Sequence, residues 1–333
     1  MNILLTGGTG YIGSHTALVL AQAGHKIILF DNLCNSQRGI VDRLIKITGK
    51  DIGFFEGDVR NTKYLSDILK QQKIDAVIHF AGLKAVGDSV KNPIDYFSNN
   101  VNGSLSLLQA MKQNDIKKLV FSSSATVYGE PKYLPYDEDH PTIAINPYGR
   151  TKLHIEEMLR DLSGSDPLWS IAVLRYFNPL GAHESAAIGE APIGTPNNLM
   201  PYILQVSSGR ISELNIFGDD YLTRDGTGER DYIHIMDLAE GHLAAFNFIC
   251  HEAGWHAFNL GTGKSTTVLE LVHEFEKITH KKIPLRMSSR RPGDLPAYYA
   301  KVAKAKVLLG WEAKRTIEEM CLTAWRWEET MKL

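Results

Sequence analysis

Through the first half of the chain, short apolar runs that end in small or acidic residues alternate with longer stretches whose apolar residues recur at helical spacing. The runs fall at residues 2–6, 26–30, 54–59, 76–80 and 119–121. They are short, rich in Ile, Leu, Val and Phe, and bounded by glycine, aspartate or serine, which reads as buried strands. Helical periodicity follows Gly13 through Ala17, Leu18, Leu20 and Ala21, and returns near residues 37–48, 61–72 and 93–113. Strands alternating with helices imply right-handed crossovers and a parallel sheet. The expected class is therefore α/β, a Rossmann-type doubly wound sheet.

From about Asn178 the alternation weakens and turn formers accumulate: Pro179, Gly181, Gly189, Pro192, Gly194 and Pro196. A chain of 333 residues also exceeds a comfortable single core. The expected division is a nucleotide-binding domain over 1–177 and a smaller mixed substrate lobe over 178–333. In the second part a short strand is predicted at 215–217, a helix at 233–248, a strand at 255–260, and helices near 267–279, 300–309 and 316–330.

The first strand empties into Gly7-Gly8-Thr9-Gly10-Tyr11-Ile12-Gly13, and a helix follows. Strand, glycine loop and helix in that order are the setting of a dinucleotide fingerprint. Gly7 allows the tight turn, Gly10 the approach of backbone to a pyrophosphate, and Gly13 close packing of the helix. The helix N-terminus presents unpaired N–H groups to phosphate charge. Asp31, ending the second strand, suits the adenosine ribose hydroxyls and repels a 2′-phosphate, so NAD is favoured over NADP. Asp58 at the end of the third strand is placed to touch adenine. Ligands of such sheets gather at the carboxyl ends of the strands, where the glycine loop, Asp31, Asp58, residues 80–84 and Ser124 all fall.

Tyr148 and Lys152 stand four residues apart in a stretch that opens with Pro147 and continues through Leu153, Ile155, Met158 and Leu159. On a helix the two side chains share a face. An ammonium beside a phenol favours the phenolate and draws its pKa toward neutrality, which makes a general base for an alcohol.

Composition removes other classes. Lys+Arg 36 against Asp+Glu 38 gives a net charge of -2, with no basic excess for nucleic acid. No apolar run reaches the length of a membrane span, and the N-terminus has no basic segment of a signal peptide. Cys34, Cys250 and Cys321 are odd in number and lack metal spacing, as reduced thiols in a cytoplasm would. The expected location is cytoplasmic, with no metal.

Longer runs carry a resemblance. Residues 31–36 (DNLCNS), 79–87 (HFAGLKAVG), 122–129 (SSSATVYG), 174–179 (LRYFNP), 196–202 (PNNLMPY), 225–234 (DGTGERDYIH) and 290–298 (RRPGDLPAY), with the glycine loop and the Tyr148/Lys152 pair, resemble the extended short-chain dehydrogenase/reductase family over nearly the whole chain. The resemblance implies inversion at C4 of UDP-glucose and UDP-galactose through transient oxidation to a 4-keto sugar, with tightly bound NAD, and a homodimer joined by the helices near 93–113 and 147–163. It implies Tyr148 as acid/base, Lys152 as its modulator and a nicotinamide-ribose ligand, and Ser124 as a hydrogen-bond partner of the sugar hydroxyl. NAD would be lined by Gly7, Gly10, Tyr11, Ile12, Gly13, Asp31, Asn32, Asn35, Ser36, Asp58, Val59, Phe80, Ala81, Gly82, Lys84, Asn99, Ser124, Tyr148, Lys152 and Phe177. The UDP-sugar would meet Lys84, Ser124, Tyr148, Asn178, Asn198, Leu199, Asn215, Phe217, Arg230, Arg291, Asp294 and Tyr298, the two arginines holding the diphosphate. In relatives the segment near 233–260 folds back on the first domain.

The same resemblance bounds the alternatives. Dehydratases of the family follow the serine position with an Asp-Glu pair, whereas Ala125 and Thr126 follow Ser124 here. A tyrosine at 298 implies preference for UDP-glucose and UDP-galactose over N-acetylated sugars; other UDP-hexoses or UDP-pentoses are the alternative substrates. A non-catalytic NAD sensor often lacks the tyrosine or the lysine, and both are present. Three features are read as decoys. Gly261-Thr262-Gly263-Lys264-Ser265 lacks the first glycine of a phosphate loop, His251 and His256 are misspaced for a zinc helix, and Trp325 and Trp327 read as packing or interface residues.

Overall fold

The computed structural model describes residues 1–331 apart from 193, 195, 197 and 292, so Asn197 and Pro292 of the motif runs lie outside the described residues. Six strands open the chain: β1 Asn2–Thr6, β2 Lys26–Asp31, β3 Ile52–Glu56, β4 Ala76–His79, β5 Lys118–Ser124 and β6 Ser170–Tyr176. The later strands are β7 Asn178–Leu180, β8 Leu214–Phe217, β9 Glu229–Arg230, β10 Tyr232–His234, β11 Gly254–Leu260, β12 Thr266–Thr267, β13 Leu285–Ser288 and β14 Ala297–Tyr298. The main sheet runs β11-β6-β5-β4-β1-β2-β3, and every neighbouring pair in it is parallel. Its order reverses between β1 and β4, which opens a crevice at their carboxyl ends.

Helices α1 Tyr11–Gln22, α2 Gly39–Thr48, α3 Thr62–Gln71, α4 Val86–Lys91, α5 Pro93–Tyr96, α6 Asn102–Gln113, α7 Pro147–Ser165, α8 Leu199–Ser207, α9 Ile235–Ile249, α10 Val268–Thr279 and α11 Ile317–Thr330 complete the fold. One apolar cluster joins alternate residues of the sheet, such as Ile3, Leu5 and Ile27, to α1 and α9. A second joins the opposite set, Leu4, Ile28 and Val77, to α3, α6 and α7. The sheet is thus covered on both faces, as an all-parallel sheet requires. A third cluster packs α8, α10 and α11 on β8.

The elements predicted from periodicity form, with informative departures. The third strand ends at Glu56, because residues beyond it turn to place the Asp58 carboxylate on Arg60, at 2.6 Å. The helix predicted over 93–113 is broken by a π-helical turn at Phe97–Val101. The stretch 300–309 yields a π-helical turn over Ala305–Leu309. The strand β6 carried no prediction of its own, yet it is buried throughout.

His15, His79, His234 and His242 are buried. Burial is the chief cause that lowers them, to about 4, 3, 3 and 4 respectively. The unfolded chain takes up these protons below pH about 6.5 and the folded one does not, so stability falls as pH drops through that window. Each histidine contributes up to about 1.4 kcal/mol per pH unit. Thermal melts should show a flat midpoint near pH 7–8 and a progressive fall below about pH 6.5; an unchanged midpoint at about pH 5 would contradict this account.

Candidate active site

A cavity of about 660 Å³ occupies the crevice beyond β1 and β4. Its floor is the glycine loop. Gly7 adopts φ +67°, and a Cβ there would stand 2.6 Å from the Ala81 nitrogen; a Cβ on Gly13 would stand 2.4 Å from the Gly7 carbonyl. Only glycine permits that approach. Gly10 caps α1 with no side-chain hydrogen bond, so the first turn, Tyr11 to Gly13, meets the cavity without a competing acceptor.

Asp31 closes the far end. Its carboxylate accepts from the Thr9 and Leu33 N–H groups at 3.2 and 3.0 Å and from Ser36 Oγ at 3.2 Å. Three of about four acceptor positions are filled, which fixes the group and leaves one for a ligand hydroxyl. The cavity wall continues through Asn32, Asn35, Ser36, Val59, Phe80, Ala81, Gly82, Lys84 and Asn99. Asn99 reaches it from the π-helical turn, whose Asn100 pins the opposite wall by accepting from the Leu83 N–H at 2.8 Å and donating to the Leu83 carbonyl at 3.0 Å. A π turn at such a place re-aims side chains that a regular helix would not.

Tyr148 and Lys152 line the same cavity. Helix α7 starts where it does because Asn146 caps it, accepting from the Gly149 N–H at 2.8 Å, with Pro147 in the first turn. Lys152 Nζ donates to the Ser122 carbonyl at 2.6 Å and lies 6.0 Å from the Tyr148 ring centroid. Burial lowers Lys152 to about 8. Burial also raises Tyr148 to about 12, and a hydrogen bond with Ser124 opposes that rise. Lys152 is not among the causes acting on the phenol: its ammonium is committed to the Ser122 carbonyl, and desolvation of the phenolate dominates.

One turn further along the same face, Glu156 pairs with Arg175 of β6 at 2.7 Å, both buried. Glu156 also accepts from Ser123 Oγ, and Arg175 donates to the Tyr128 hydroxyl at 3.0 Å.

A second cavity, of about 200 Å³, lies in the smaller lobe and is lined by Asn178, Asn198, Leu199, Asn215, Phe217, Arg230, Arg291 and Asp294. Parallel pairing of β14 with β9 sets Tyr298 beside Arg230, whose guanidinium lies 4.7 Å from the Tyr298 ring centroid and bonds Asp294 at 2.6 Å. Arg291 sits 3.9 Å from the Phe217 ring centroid. Glu190, Asn198 and Pro201 line both cavities, so the two adjoin.

Asp58, Ser124, Phe177 and Tyr298 are not among the described residues lining either cavity. Asp58 is turned to Arg60 by local chemistry. Ser124 Oγ accepts from the Thr126 N–H at 3.2 Å. Phe177 is buried against Tyr298, with ring centroids 6.0 Å apart, and the Tyr298 hydroxyl donates to Asn178 Oδ1 at 2.8 Å. These residues back the walls.

Sequence reasoning missed Glu190, Arg43 and Met331 as lining residues, and it read Trp327 as a packing or interface residue, although Trp327 also lines the larger cavity. No local motif marks them, since the fold brings them in from distant segments. The loop at 261–265 turns its Thr262 and Gly263 N–H groups to the buried Asp231 carboxylate, at 2.7 and 2.9 Å. Among the described residues no cluster of His, Cys, Asp and Glu could hold a metal ion.

Comparison with known proteins gives concordant matches. The family model for GDP-mannose 4,6 dehydratase matches residues 4–323. A UDP-glucose 4-epimerase of Bacillus subtilis is 53% identical over 330 residues, covering 99% of this chain and 97% of the relative. The crystal structure of UDP-glucose 4-epimerase from Stenotrophomonas maltophila, with bound NAD and formylated UDP-arabinopyranose, superposes with a TM-score of 0.98 at 47% identity, covering 100% of this chain and 99% of that one. The enzyme from Bifidobacterium longum in complex with NAD+ and UDP gives 0.96 at 47% identity, with 99% and 98% covered. With the glycine loop, the Tyr148/Lys152 pair and the adjoining cavities on one edge of the sheet, these matches make the chain a member of the UDP-glucose 4-epimerase family, within the extended short-chain dehydrogenases/reductases.

Proposed function

We propose that this protein interconverts UDP-glucose and UDP-galactose by inverting the configuration at C4. The observation that carries the reading is the adjoining of two cavities. One is built for a dinucleotide and contains Tyr148 and Lys152; the other holds Arg230, Arg291 and Asn198 for a uridine diphosphate. The uncapped helix start, the glycine cradle and the remaining acceptor position of Asp31 fit NAD, with residues 7–13 at the pyrophosphate and Lys84, Asn99 and Lys152 toward the nicotinamide half. When bound, NAD supplies the redox chemistry, accepting hydride from C4 and returning it to the opposite face.

The chain's own part is proton handling and positioning. Tyr148 takes the proton of the 4-hydroxyl and gives it back, and Ser124 holds the phenol by a hydrogen bond. Lys152 stabilises the phenolate once its ammonium turns from the Ser122 carbonyl toward the ring. Arg230 and Arg291 hold the diphosphate, Asn178, Asn198 and Asp294 offer hydroxyl partners, and Leu199, Asn215 and Phe217 form the uracil wall. Gripping the nucleotide end leaves the hexose free to turn over.

The division into a 1–177 nucleotide domain and a 178–333 substrate lobe follows from this reading, with β11 joining the first through its pairing with β6. Ala125 and Thr126 after Ser124 favour epimerisation over dehydration, since neither supplies a carboxyl group to eliminate water, and the Thr126 hydroxyl is bonded to Ser124 at 3.0 Å. A role in galactose metabolism follows from this activity, and the free thiols of Cys34, Cys250 and Cys321 are compatible with a cytoplasmic setting. Among the described residues no helix is long and apolar enough to cross a membrane. A second reading, turnover of UDP-pentoses, is favoured by the formylated UDP-arabinopyranose bound to the Stenotrophomonas enzyme.

Incubation with UDP-galactose should yield UDP-glucose, and denaturation should release NAD. Tyr148→Phe is expected to keep its NAD and lose at least about a thousandfold in turnover, within the span of a general base combined with substrate positioning. Retained turnover would assign the base elsewhere. Tyr298 backs the wall at Asn178, to which its hydroxyl donates, and on this reading it limits the room for the hexose, so UDP-N-acetylglucosamine should turn over poorly and Tyr298→Cys should raise that rate; equal turnover of both sugars by the unaltered protein refutes the gate. Exposed Ile94 and Leu105 on α5 and α6 support a homodimer through these helices and α7. Sedimentation at the mass of one chain would exclude it.

A further inference from the structure

Glu190 has no part in the scheme above, yet it stands where the two cavities meet. Its Oε1 atom accepts from Lys84 Nζ at 3.1 Å and from Asn198 Nδ2 at 2.8 Å. Lys84 belongs to the wall of the larger cavity and Asn198 lines both. The carboxylate is largely shielded, with 12% of the side chain exposed against 50% for Lys84. Its charge also reaches Tyr11, whose hydroxyl it helps hold in the neutral form, after burial.

The backbone around Glu190 is pinned from behind. The Trp327 indole N–H donates to the Glu190 carbonyl at 3.0 Å, and a Cβ on Gly189 would stand 2.5 Å from the Trp327 ring. Thr330 Oγ1 donates to the Ala186 carbonyl at 3.0 Å, and Arg43 to the Ala187 carbonyl at 3.3 Å. The segment 186–190 is thus a fixed strap, and the Glu190 side chain is held at a chosen point on it.

Resting on the function proposed above, we infer that Glu190 is a positioning residue that couples the dinucleotide cavity to the sugar-nucleotide cavity. An ammonium has three donors, and one of those of Lys84 is engaged by Glu190. A ligand in the larger cavity that draws Lys84 away removes a competitor for Oε1, so Glu190 holds the Asn198 amide nitrogen more firmly. The Asn198 amide oxygen is then fixed as an acceptor for the second ligand. Linkage makes the effect reciprocal: the sugar nucleotide, by taking that geometry, favours the state in which the dinucleotide keeps Lys84.

The test uses the protein purified with its NAD. Release of NAD is followed by ultrafiltration with and without saturating UDP, and the ratio of the two rates is the readout. In the unaltered protein UDP should slow release by about fivefold or more. In Glu190→Gln and Glu190→Ala the ratio should drop below half its original value, with a rise in KM for UDP-galactose that exceeds any fall in kcat. A ratio that stays at half or above, or no UDP effect in the unaltered protein, overturns the inference. Should both variants fail to fold, the cycle of Lys84→Met and Asn198→Ala decides: non-additive effects on the ratio support it, and additive ones overturn it. A protein that retains neither NAD nor UDP defeats the function itself, whereas one that holds both with an unaltered ratio defeats only this coupling.

Discussion

The site depends on one face of α7, which presents Tyr148, Lys152 and Glu156 at successive turns. The first two look into the cavity, and the third is anchored in the sheet by its buried pair with Arg175. Removing one partner of such a pair leaves a charge without compensation, a loss of about 3–5 kcal/mol. Here the pair is further satisfied by Ser123 and Tyr128, so the bond is directional and fixes the rotation of the helix about its axis. A Tyr/Lys face without that anchor would have no defined aim. Thr151 adds a second tie, because Asn100 of the π-helical turn donates to its hydroxyl at 3.0 Å.

Burial at this face works against ionisation of both Tyr148 and Lys152. The phenol of Tyr148 is held neutral, and Lys152 is held at a carbonyl with its proton affinity lowered. Both effects have one cause, the withdrawal of water from the floor of the cavity. That dryness strengthens the interaction between charges within the site. Where the two cavities adjoin, Glu190 and Lys84 compensate each other's charge, the carboxylate largely shielded and the ammonium half exposed.

The smaller lobe is assembled from short strands with little internal sheet. Its organiser is the buried Asp231, which gathers the N–H groups of Thr262, Gly263 and Ala300 and so ties the 261–265 loop and the approach of β14 to β9. That knot sets Arg230 and Tyr298 side by side. A loop that resembles a phosphate-binding motif in composition thus satisfies a carboxylate of its own chain.

The sequence alone determined the parallel sheet, because short β-branched runs and intervening periodic stretches admit few other packings, and it determined the edge at which residues 7–13, Asp31 and residues 80–84 meet, because chain direction fixes which end of each strand they follow. Local chemistry also marked the start of α7 at Pro147, and the structure adds the Asn146 cap before it. Only tertiary structure decided the rest. The break at Phe97–Val101, the turning of Asp58 to Arg60, and the convergence of Lys84, Glu190, Asn198 and Trp327 depend on contacts between segments far apart in the chain. Such contacts leave no periodic trace. They arise when packing brings charges and donors to one point, and the protonation of Tyr148 and Lys152 is set there by burial that a list of residues does not contain.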